Sequence, residues 1–310
     1  MSNKKMAYLY LIITLCAWGS LYVVSKFVLA KVPTFTVLFI RYFVAGIVLF
    51  FVLKRRKVSK IEKQDYKYVF FIGFVGYFLS IVSQFLGTKF TNASLASLIN
   101  STNPIFIILF AVFILKEKLT LQKVICVIVA LAGTYIIIGG GSTSGHALGI
   151  LLSVISVILW SLMTVIVRKI TQKYNALQIT TYAIIIAGIC SLPFSTYELI
   201  VIPNIDIFDP IVMLSLLYIG LVCTALSHVL WNKSLSMIEA GSCSLFYPIQ
   251  PMVSVLLGWS LLGENITMRF ALGAVLIIGG ILFSVVGNQN KEIPTDEIDS
   301  VYLKSHIKNT

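Results

Sequence analysis

The first feature of this 310-residue chain is how little charge it carries. Only 12% of its residues are Asp, Glu, Lys or Arg, whereas 58% are hydrophobic, and the mean hydropathy is +0.95. Soluble domains are about one-quarter charged. The composition therefore excludes an ordinary soluble domain and predicts a polytopic membrane protein.

Motifs for catalysis, nucleotide binding and metal binding are also missing from the sequence. The chain has no P-loop, no H-E-x-x-H and no G-x-S-x-G motif, which excludes direct use of ATP and the common hydrolase chemistries. Its five cysteines show no CxxC spacing, so they predict apolar packing rather than disulfides or metal ligands. We expect no enzyme activity, no metal and no cofactor.

The hydrophobic residues are instead gathered into ten stretches, each of about the 20 residues that a helix needs to cross a bilayer. The stretches are continuous and lack the alternation of β-barrel strands. They lie at residues 7–29, 34–53, 68–88, 93–115, 121–139, 147–167, 176–196, 211–231, 240–262 and 267–287. We predict an all-α integral membrane protein with ten transmembrane helices.

The second half of the chain repeats the first after a shift of 147 residues. The matching pairs include Gly73 with Gly220, Ser80 with Ser227, Pro104 with Pro251 and Glu117 with Glu264. Each copy holds five predicted helices, an odd number, so the second copy must enter the membrane from the opposite side. The sequence predicts two inverted five-helix repeats, 6–140 and 146–288, followed by a flexible cytoplasmic tail at 289–310.

The basic residues predict the orientation of these helices. With a cytoplasmic N-terminus, the cluster Lys54-Arg55-Arg56-Lys57 and the basic residues of the tail all fall on the inner side, as the positive-inside rule requires. The net charge of +12 then reports orientation and gives no support for nucleic-acid binding. We expect a multi-pass protein of the plasma membrane, with both termini in the cytoplasm and the lipid bilayer as its surroundings.

The repeat itself predicts a function. Inverted-topology repeats place a substrate site near the bilayer midplane, where the two halves meet, and rocking of the halves gives alternating access. The architecture therefore favours a secondary transporter of a small molecule. A duplicated membrane scaffold without transport is the alternative.

Short motifs occur in order along the chain, four in the first half and one in the second. They are Trp18-Gly19-Ser20, Phe39-Ile40-Arg41-Tyr42-Phe43, Ala93-Ser94-Leu95-Ala96, Lys116-Glu117 and Gly263-Glu264. This ordered set resembles the drug/metabolite transporter superfamily, in its EamA-type branch with two EamA domains, over residues 6 to 288. The resemblance implies the ten-helix fold and the transport of small metabolites or drugs.

Three functional hypotheses follow from the repeat and the resemblance. The first is an exporter of amino-acid-like or other amphipathic compounds, or of drugs. The second is a nutrient importer of the same fold, which only the direction of flux would distinguish. The third is a lipid flippase or scramblase, for which we would expect a lateral opening lined by basic groups.

Two basic residues, Lys26 and Arg41, lie within predicted helices. A charge inside a span needs a partner, a cavity or a route to the interface. Lys26 lies near a helix end, where its side chain can reach the interface. Arg41 lies deeper, and two alternatives stay open: it snorkels or bonds carbonyls of a neighbouring helix, or it contacts an anionic group of the substrate. No basic residue of the second copy matches it.

Other polar residues recur at helical spacing within the apolar spans. Facing lipid, their polar atoms would be unsatisfied, so we predict that they turn inward to line a substrate pathway, with aromatic rings as its walls. The predicted pathway residues beside Lys26 and Arg41 are Trp18, Tyr22, Tyr77, Ser80, Gln84, Ser97, Asn100, Asn103, Trp160, Thr224, His228, Trp231, Tyr247 and Gln250. Interhelical hydrogen bonds without a cavity are the alternative, and His228 is either structural or a proton relay.

Prolines and acidic residues complete the predictions. Pro104, Pro248 and Pro251 should kink the fourth and ninth helices, because a proline removes a backbone donor and clashes with the preceding turn. Glu117 and Glu264 should lie at helix ends and pair with Lys116, Lys118 or Arg269. No carboxylate is expected deep in a span.

Overall fold

A computed structural model describes residues 3–90, 99–138, 147–203, 205–262 and 268–289. Helices dominate these ranges, which contain no strand. Six of the helices are long and apolar enough to cross a membrane. The chain is therefore a multi-pass, all-α membrane protein. Three predictions fall outside the described residues: Ser97, Glu264 and the tail beyond residue 289.

The first half contributes five helices to the described structure. They are α1 (Asn3–Leu29), α2 (Thr34–Lys54), α3 (66–90), α4 (Asn103–Leu115) and α5 (Leu121–Ile138). A short 3₁₀ turn, Lys63–Asp65, leads into α3. At the end of α4, Lys116 adopts a left-handed conformation with φ of 56°, which stops the helix as a left-handed residue after the last turn commonly does.

The second half contributes six helices. They are α6 (Ala147–Ile170), α7 (Ala176–Val201), α8 (Pro210–Met237), α9 (Ala240–Ser244), α10 (Ile249–Leu262) and α11 (Met268–Gln289). The predicted ninth span is thus two helices, α9 and α10, joined by a turn.

The proline-rich spans break where kinks were expected. Pro104 is the second residue of α4 and Pro251 the third of α10, while Pro248 lies in the turn between α9 and α10. Amide groups in the first turn of a helix have no hydrogen-bond acceptor within the helix. A proline, which lacks the amide hydrogen, is therefore tolerated there without distortion. The prediction of kinks was wrong, because Pro104 and Pro251 lie in the first turns of helices, Pro248 lies between two helices, and none of the three interrupts a continuous helix.

Both α3 and α8 contain a π-helical segment, at Ile72–Ser80 and at Ile219–Leu226. The two segments occupy matching positions of the sequence repeat. In α8, the hydroxyl groups of Thr224 and Ser227 each donate to the carbonyl oxygen five residues earlier, at 2.7 Å. Such segments are uncommon and frequent at functional sites, and both lie near the middle of their helices.

Helices of the two halves pack on one another in matched pairs. α1 packs on α8 and α10, and α6 packs on α3 and α4, while α2 contacts α7 and α5 contacts α11. Glycines allow the closest approaches: a Cβ atom on Gly73 would lie 2.7 Å from the carbonyl oxygen of Ala183, and one on Gly220 would lie 2.8 Å from Val44. The centre of the structure therefore lies between the halves, with both contributing to it.

Candidate functional site

A cavity of about 220 Å³ lies where α1, α2, α3, α4, α6, α8 and α10 meet. Both halves of the chain contribute to its wall. Its lining residues are Trp18, Leu21, Ser25, Leu29, Arg41, Ser80, Ile81, Gln84, Phe85, Asn100, Asn103, Ser156, Trp160, His228, Tyr247 and Gln250.

The structure brings ten of the predicted pathway residues to this wall. They are Trp18, Arg41, Ser80, Gln84, Asn100, Asn103, Trp160, His228, Tyr247 and Gln250. Tyr77, Thr224 and Trp231 do not line the cavity, and each is buried behind the wall. Tyr22 and Lys26 lie on α1, but their side chains fall outside the described part of the structure. Ser97, as noted, is not described either.

Arg41, on α2, supplies the positive charge of the cavity, and only 2% of its surface is exposed. Its Nε donates to Thr224 Oγ1 at 2.9 Å, and its guanidinium lies 5.4 Å from the ring centre of Tyr42. The side chain therefore does not extend to an interface, as snorkelling would require. It bonds the hydroxyl of a neighbouring helix, where the sequence had suggested a carbonyl.

The π-helical segment of α8 explains how Arg41 finds this partner. The Thr224 hydroxyl has a single hydrogen, which it donates to the carbonyl oxygen of Ile219 at 2.7 Å. Its oxygen therefore faces Arg41 as an acceptor, and the hydroxyl cannot turn round to compete as a donor. The local helix geometry thus fixes the orientation of the buried guanidinium.

Aromatic rings form one wall of the cavity. The ring centres of Trp18 and Trp160 lie 5.6 Å apart with the planes nearly perpendicular, an arrangement that aromatic pairs favour. Trp18 Nε1 donates to the carbonyl oxygen of Cys223 at 3.0 Å, and Trp160 Nε1 donates to the Tyr247 hydroxyl. Because both indole nitrogens are satisfied within the protein, the two rings offer apolar surface to a ligand.

His228 packs against both of these rings. Its Nδ1 lies 2.9 Å from the carbonyl oxygen of Thr224, and a carbonyl only accepts, so Nδ1 carries the hydrogen. Nε2 is then an acceptor, and no described residue donates to it. The Trp18 ring meets the imidazole edge to face at 5.5 Å. His228 therefore offers one hydrogen-bond acceptor within an aromatic setting.

The polar residues of the opposite wall are linked across helices. Ser80 donates to the carbonyl oxygen of Ser156 at 3.0 Å. Asn103 donates to the carbonyl oxygen of Asn100 at 2.7 Å, and its own Oδ1 accepts from Ser161 at 3.1 Å. These bonds hold α3, α4 and α6 together around the cavity.

Sequence analysis missed two serines that line the cavity, Ser25 and Ser156, and one buried polar residue outside its wall, Asn232 on α8. It is fully buried and donates to the Tyr77 hydroxyl at 2.8 Å and to Thr180 Oγ1 at 2.7 Å. Its Oδ1 has no partner among the described residues. The signal was an amide directly beside Trp231, one residue past the end of the predicted eighth span. The predicted boundary hid it, because α8 continues to Met237.

Glu117 does not form the pairs expected for it. Its carboxylate accepts from the backbone nitrogens of Ala240 and Gly241, at 2.9 and 3.1 Å, and thereby caps α9. The nearby cation is Lys123, whose Nζ lies 3.9 Å from Glu117 and 2.6 Å from Glu239. Neither Lys116 nor Lys118 forms the predicted ion pair with Glu117 in the described structure. The carboxylate thus joins the α4–α5 connection of the first half to the start of α9.

Two lysines outside the spans also bridge the halves. Lys31 pairs with Asp209, and Lys173 pairs with Glu62 at 2.8 Å. Hydrogen bonds from the lysines are the main cause that lowers the pKa of Asp209 and of Glu62. The hydrogen bond to Asp209 raises the pKa of Lys31, and the hydrogen bonds to Asp65 and then to Glu62 raise the pKa of Lys173. These pairs join the α1–α2 connection to the α7–α8 connection, and the α6–α7 connection to the α2–α3 connection.

A second cavity, of about 420 Å³, lies between α2 and α7. It is lined by apolar and aromatic side chains, apart from the Tyr42 hydroxyl, and carries no basic residue. That hydroxyl donates to the carbonyl oxygen of Tyr77 and is not free for a ligand. The second cavity therefore offers none of the specific polar contacts of the first.

The polar cavity also carries no acidic residue among the described residues that line it, and no group of metal-ligating side chains occurs in the described ranges. Its chemistry is one guanidinium, one imidazole acceptor, several amide and hydroxyl groups and two indole faces. Such a set can bind and orient a ligand. It provides no nucleophile paired with a base.

Comparisons with known proteins show what the whole chain is similar to. The sequence profile of the EamA-like transporter family matches residues 5–139 and again residues 147–286. The "Uncharacterized transporter YetK" of Bacillus subtilis is 28% identical over 294 residues, which span 92% of this chain and 88% of that protein. An "Uncharacterized transporter" of Archaeoglobus fulgidus is 24% identical over 284 residues, covering 90% and 96%.

A solved crystal structure is similar in fold. It superimposes with a TM-score of 0.80 at 19% identity, over 93% of this chain and the whole of that chain. At this identity the likeness speaks for the fold alone. Residues of both matched segments, such as Trp18 and Trp160, line the polar cavity, which therefore lies between the two segments.

Proposed function

Because the chain belongs to the EamA-like transporter family, and is thus a membrane transporter rather than an enzyme, we propose that it exports small amphipathic metabolites, amino-acid-like compounds or drugs by alternating access. The observation that carries the proposal is the polar cavity between the two matched segments. Its wall combines apolar indole faces with amides and one cation, as ligand sites for amphipathic compounds do.

The proposed architecture is ten transmembrane helices in two inverted five-helix repeats. Six described helices are long enough to span, and α4, α5 and α11 carry shorter apolar segments. The matched exchange of partners, α1 with α8 and α6 with α3, supports a two-fold relation between the halves. In this arrangement a cavity on the pseudo-two-fold axis becomes accessible to each side in turn as the halves rock.

The proposed location is the plasma membrane, with both termini in the cytoplasm. The basic cluster from Lys54 to Lys57 follows α2, and the positive-inside rule assigns it to the cytoplasmic side. Because the chain has no P-loop, the driving force is a gradient rather than ATP. The lateral cavity between α2 and α7 lacks basic groups, so no observation favours movement of lipid headgroups.

The test is an untargeted comparison of metabolites inside and outside cells that overproduce the protein. The variant is the double substitution Gln84→Ala with Asn100→Ala, which removes two amides from the cavity wall. The matched control is Gln64→Ala with Gln172→Ala, two exposed amides outside the cavity. All three proteins are compared at equal membrane abundance.

Accumulation of a defined compound outside the cells, lost in the cavity variant and kept in the control variant, is the expected result. Depletion of a compound from the medium would reverse the direction to import. Equal transport by the cavity variant and the wild type would refute the assignment of this cavity as the pathway.

A further inference from the structure

The buried charge of the cavity has no counter-ion in the described structure. Among the described residues, the hydrogen bond from Nε to Thr224 is the only one Arg41 makes, and no carboxylate pairs with it. A guanidinium inside a membrane is costly unless an opposite charge and hydrogen bonds compensate it. Its two terminal nitrogens form a planar fork that matches a carboxylate.

Arg41 and His228 are held by the same residue. Arg41 Nε bonds the hydroxyl of Thr224, and His228 Nδ1 bonds its carbonyl oxygen. Both side chains line the cavity, and His228 Nε2 is a buried acceptor without a partner among the described residues. A ligand that satisfies both presents an acid group next to a hydrogen-bond donor.

The charge of that donor also follows from the arrangement. An ammonium group at His228 would lie close to the guanidinium of Arg41, and no described acidic residue lines the cavity to offset two cations. Like charges placed side by side cost several kcal/mol in protein complexes. A hydroxyl group donates to Nε2 without this penalty.

We propose that the transported compound is a monoanionic hydroxycarboxylate with an apolar or aromatic body: Arg41 binds the carboxylate, His228 Nε2 accepts from the hydroxyl, and Trp18 and Trp160 enclose the body. The inference rests on the proposed transport function and names the substrate class of that site. It excludes organic cations, and it ranks zwitterions below anions of the same size.

A monoanion has a consequence for the driving force. Moving one charge through a membrane potential is worth about 2.3 kcal/mol per 100 mV, which is about 50-fold in the concentration ratio at equilibrium. A potential that is negative inside expels an anion. Export of the proposed substrate therefore needs no coupling ion, in keeping with a described cavity wall that holds no carboxylate to carry a proton.

The test uses three probes that share a phenyl group. They are 3-phenyllactate, an anion with a hydroxyl; phenylalanine, in which an ammonium replaces that hydroxyl; and phenethylamine, a cation. Binding to the purified full-length protein is measured by calorimetry. We expect phenyllactate to bind about tenfold or more tightly than phenylalanine, and phenethylamine not to bind. Binding of phenylalanine or phenethylamine at least as tightly as phenyllactate, or of no probe at all, would overturn the proposal.

The charge of Arg41 is tested with two variants. Arg41→Gln should weaken the binding of phenyllactate about 30-fold or more, the cost of truncating one partner of a buried charge pair. Arg41→Lys keeps the charge but loses the fork, and should retain part of the affinity. Unchanged binding in Arg41→Gln would overturn the proposal. The selectivity of the wild-type protein among the three probes needs no variant, so the test survives a variant that fails to fold.

Flux separates this inference from the proposed function. In proteoliposomes with valinomycin, a tenfold potassium gradient sets a potential of about 60 mV, which should change the final phenyllactate ratio about tenfold. Protein-free vesicles measure passive leakage. A final phenyllactate ratio that does not change with the membrane potential would overturn the inference that the potential drives transport of the anion. Binding of phenyllactate without flux would contradict the proposed transport function and leave the proposed ligand class standing. Flux of phenylalanine that does not depend on the potential would support transport and contradict the proposed ligand class.

Discussion

Helices α2 and α7 occupy matching positions in the two copies of the repeat, but only α2 carries a charged residue that lines the cavity. Both begin at matching positions, 142 residues apart, and α2 has 21 residues where α7 has 26. At the same depth α2 carries Arg41 and α7 carries Ala183. Their carbonyl oxygens face Gly220 and Gly73 respectively. Both copies therefore have the contact between a carbonyl oxygen and a glycine, whereas only the first copy has the charge of Arg41.

The five extra residues of α7 have a role of their own. They include Glu198, whose carboxylate accepts from the backbone nitrogens of Phe35 and Thr36 at 3.1 and 2.7 Å. Glu198 thus caps α2, whereas α7 is capped by its own Asn175. The first copy supplies the cation of the cavity, and the second copy supplies the carboxylate that caps the helix on which this cation lies.

The largest effect should come from adding the missing charge to α7. Ala183 is fully buried beside Gly73, so Ala183→Arg places an unpaired guanidinium where a methyl group fits. The insertion cost alone is about 2.5–3.5 kcal/mol, and overpacking adds about 1–3 kcal/mol. We expect little folded protein by fluorescence-detected size exclusion, while Ala183→Ser behaves like the wild type. Normal yield of Ala183→Arg would show that α7 is not the uncharged copy of α2.

Removing the charge from α2 should have the opposite character. Arg41→Gln takes away a buried charge that lacks a counter-ion, so the fold should persist. Transport should fall about 30-fold or more, because the substrate loses its charged partner. The measurement is flux of the metabolite identified in the cell comparison, at matched abundance. Loss of fold together with flux would make Arg41 structural.

The paired glycines sharpen the comparison of the backbones. Gly73→Ala brings a methyl group to 2.7 Å from a carbonyl oxygen, which is rigid, whereas Gly220→Ala meets the side chain of Val44 at 2.8 Å. Overpacking of this kind costs about 1–3 kcal/mol. Both variants should lower the thermal midpoint, Gly73→Ala by more. A larger fall in the midpoint for Gly220→Ala than for Gly73→Ala would mean that the helix crossings at these two glycines are not equivalent.

The two caps provide a smaller contrast. Glu198→Gln weakens the bonds to the start of α2, and Asn175→Ala removes the cap of α7. Loss of a cap costs about 0.5–2 kcal/mol. We expect both variants to lower the midpoint, but only Glu198→Gln to weaken substrate binding as well, because α2 carries Arg41. Equal substrate affinity in both variants would show that the cap formed by Glu198 does not influence the substrate site.

The lysine pairs between the halves should give the smallest effect. Lys31 and Lys173 are matching residues, and each lowers the pKa of a carboxylate, Asp209 or Glu62. A carboxylate with a lowered pKa stabilises the fold above its ordinary value near 4, and the contribution is lost as the pH falls through the lowered pKa. Lys31→Gln and Lys173→Gln should therefore lower the midpoint at pH 7 and converge on the wild type in acid. A difference that persists in acid would point to another cause.

Much of this site follows from the sequence, for a simple reason. Polar groups in apolar spans cannot face lipid, so Gln84, Asn103 and His228 had to turn inward, and they meet at one cavity. The absence of a second Arg41 was also visible in the sequence, because the predicted seventh span, 176–196, contains no Lys or Arg.

Other features depended on tertiary structure. The π-helical segments follow from no residue pattern, since the choice between bonds to the fourth and fifth residue depends on packing. The partner of Arg41, Thr224, lies 183 residues away, and only the contact of α2 with α8 brings them together. The prolines were misread because their position relative to a helix start decides whether they kink or begin it.

The central claim is that substrate binds at Arg41, in the cavity between the two halves. The most direct test is a structure of the protein with the exported metabolite bound. Our account predicts density for an acid group at the guanidinium of Arg41, with the body of the molecule between Trp18 and Trp160. Density in the apolar cavity between α2 and α7, or binding that leaves Arg41 without a contact, would contradict it.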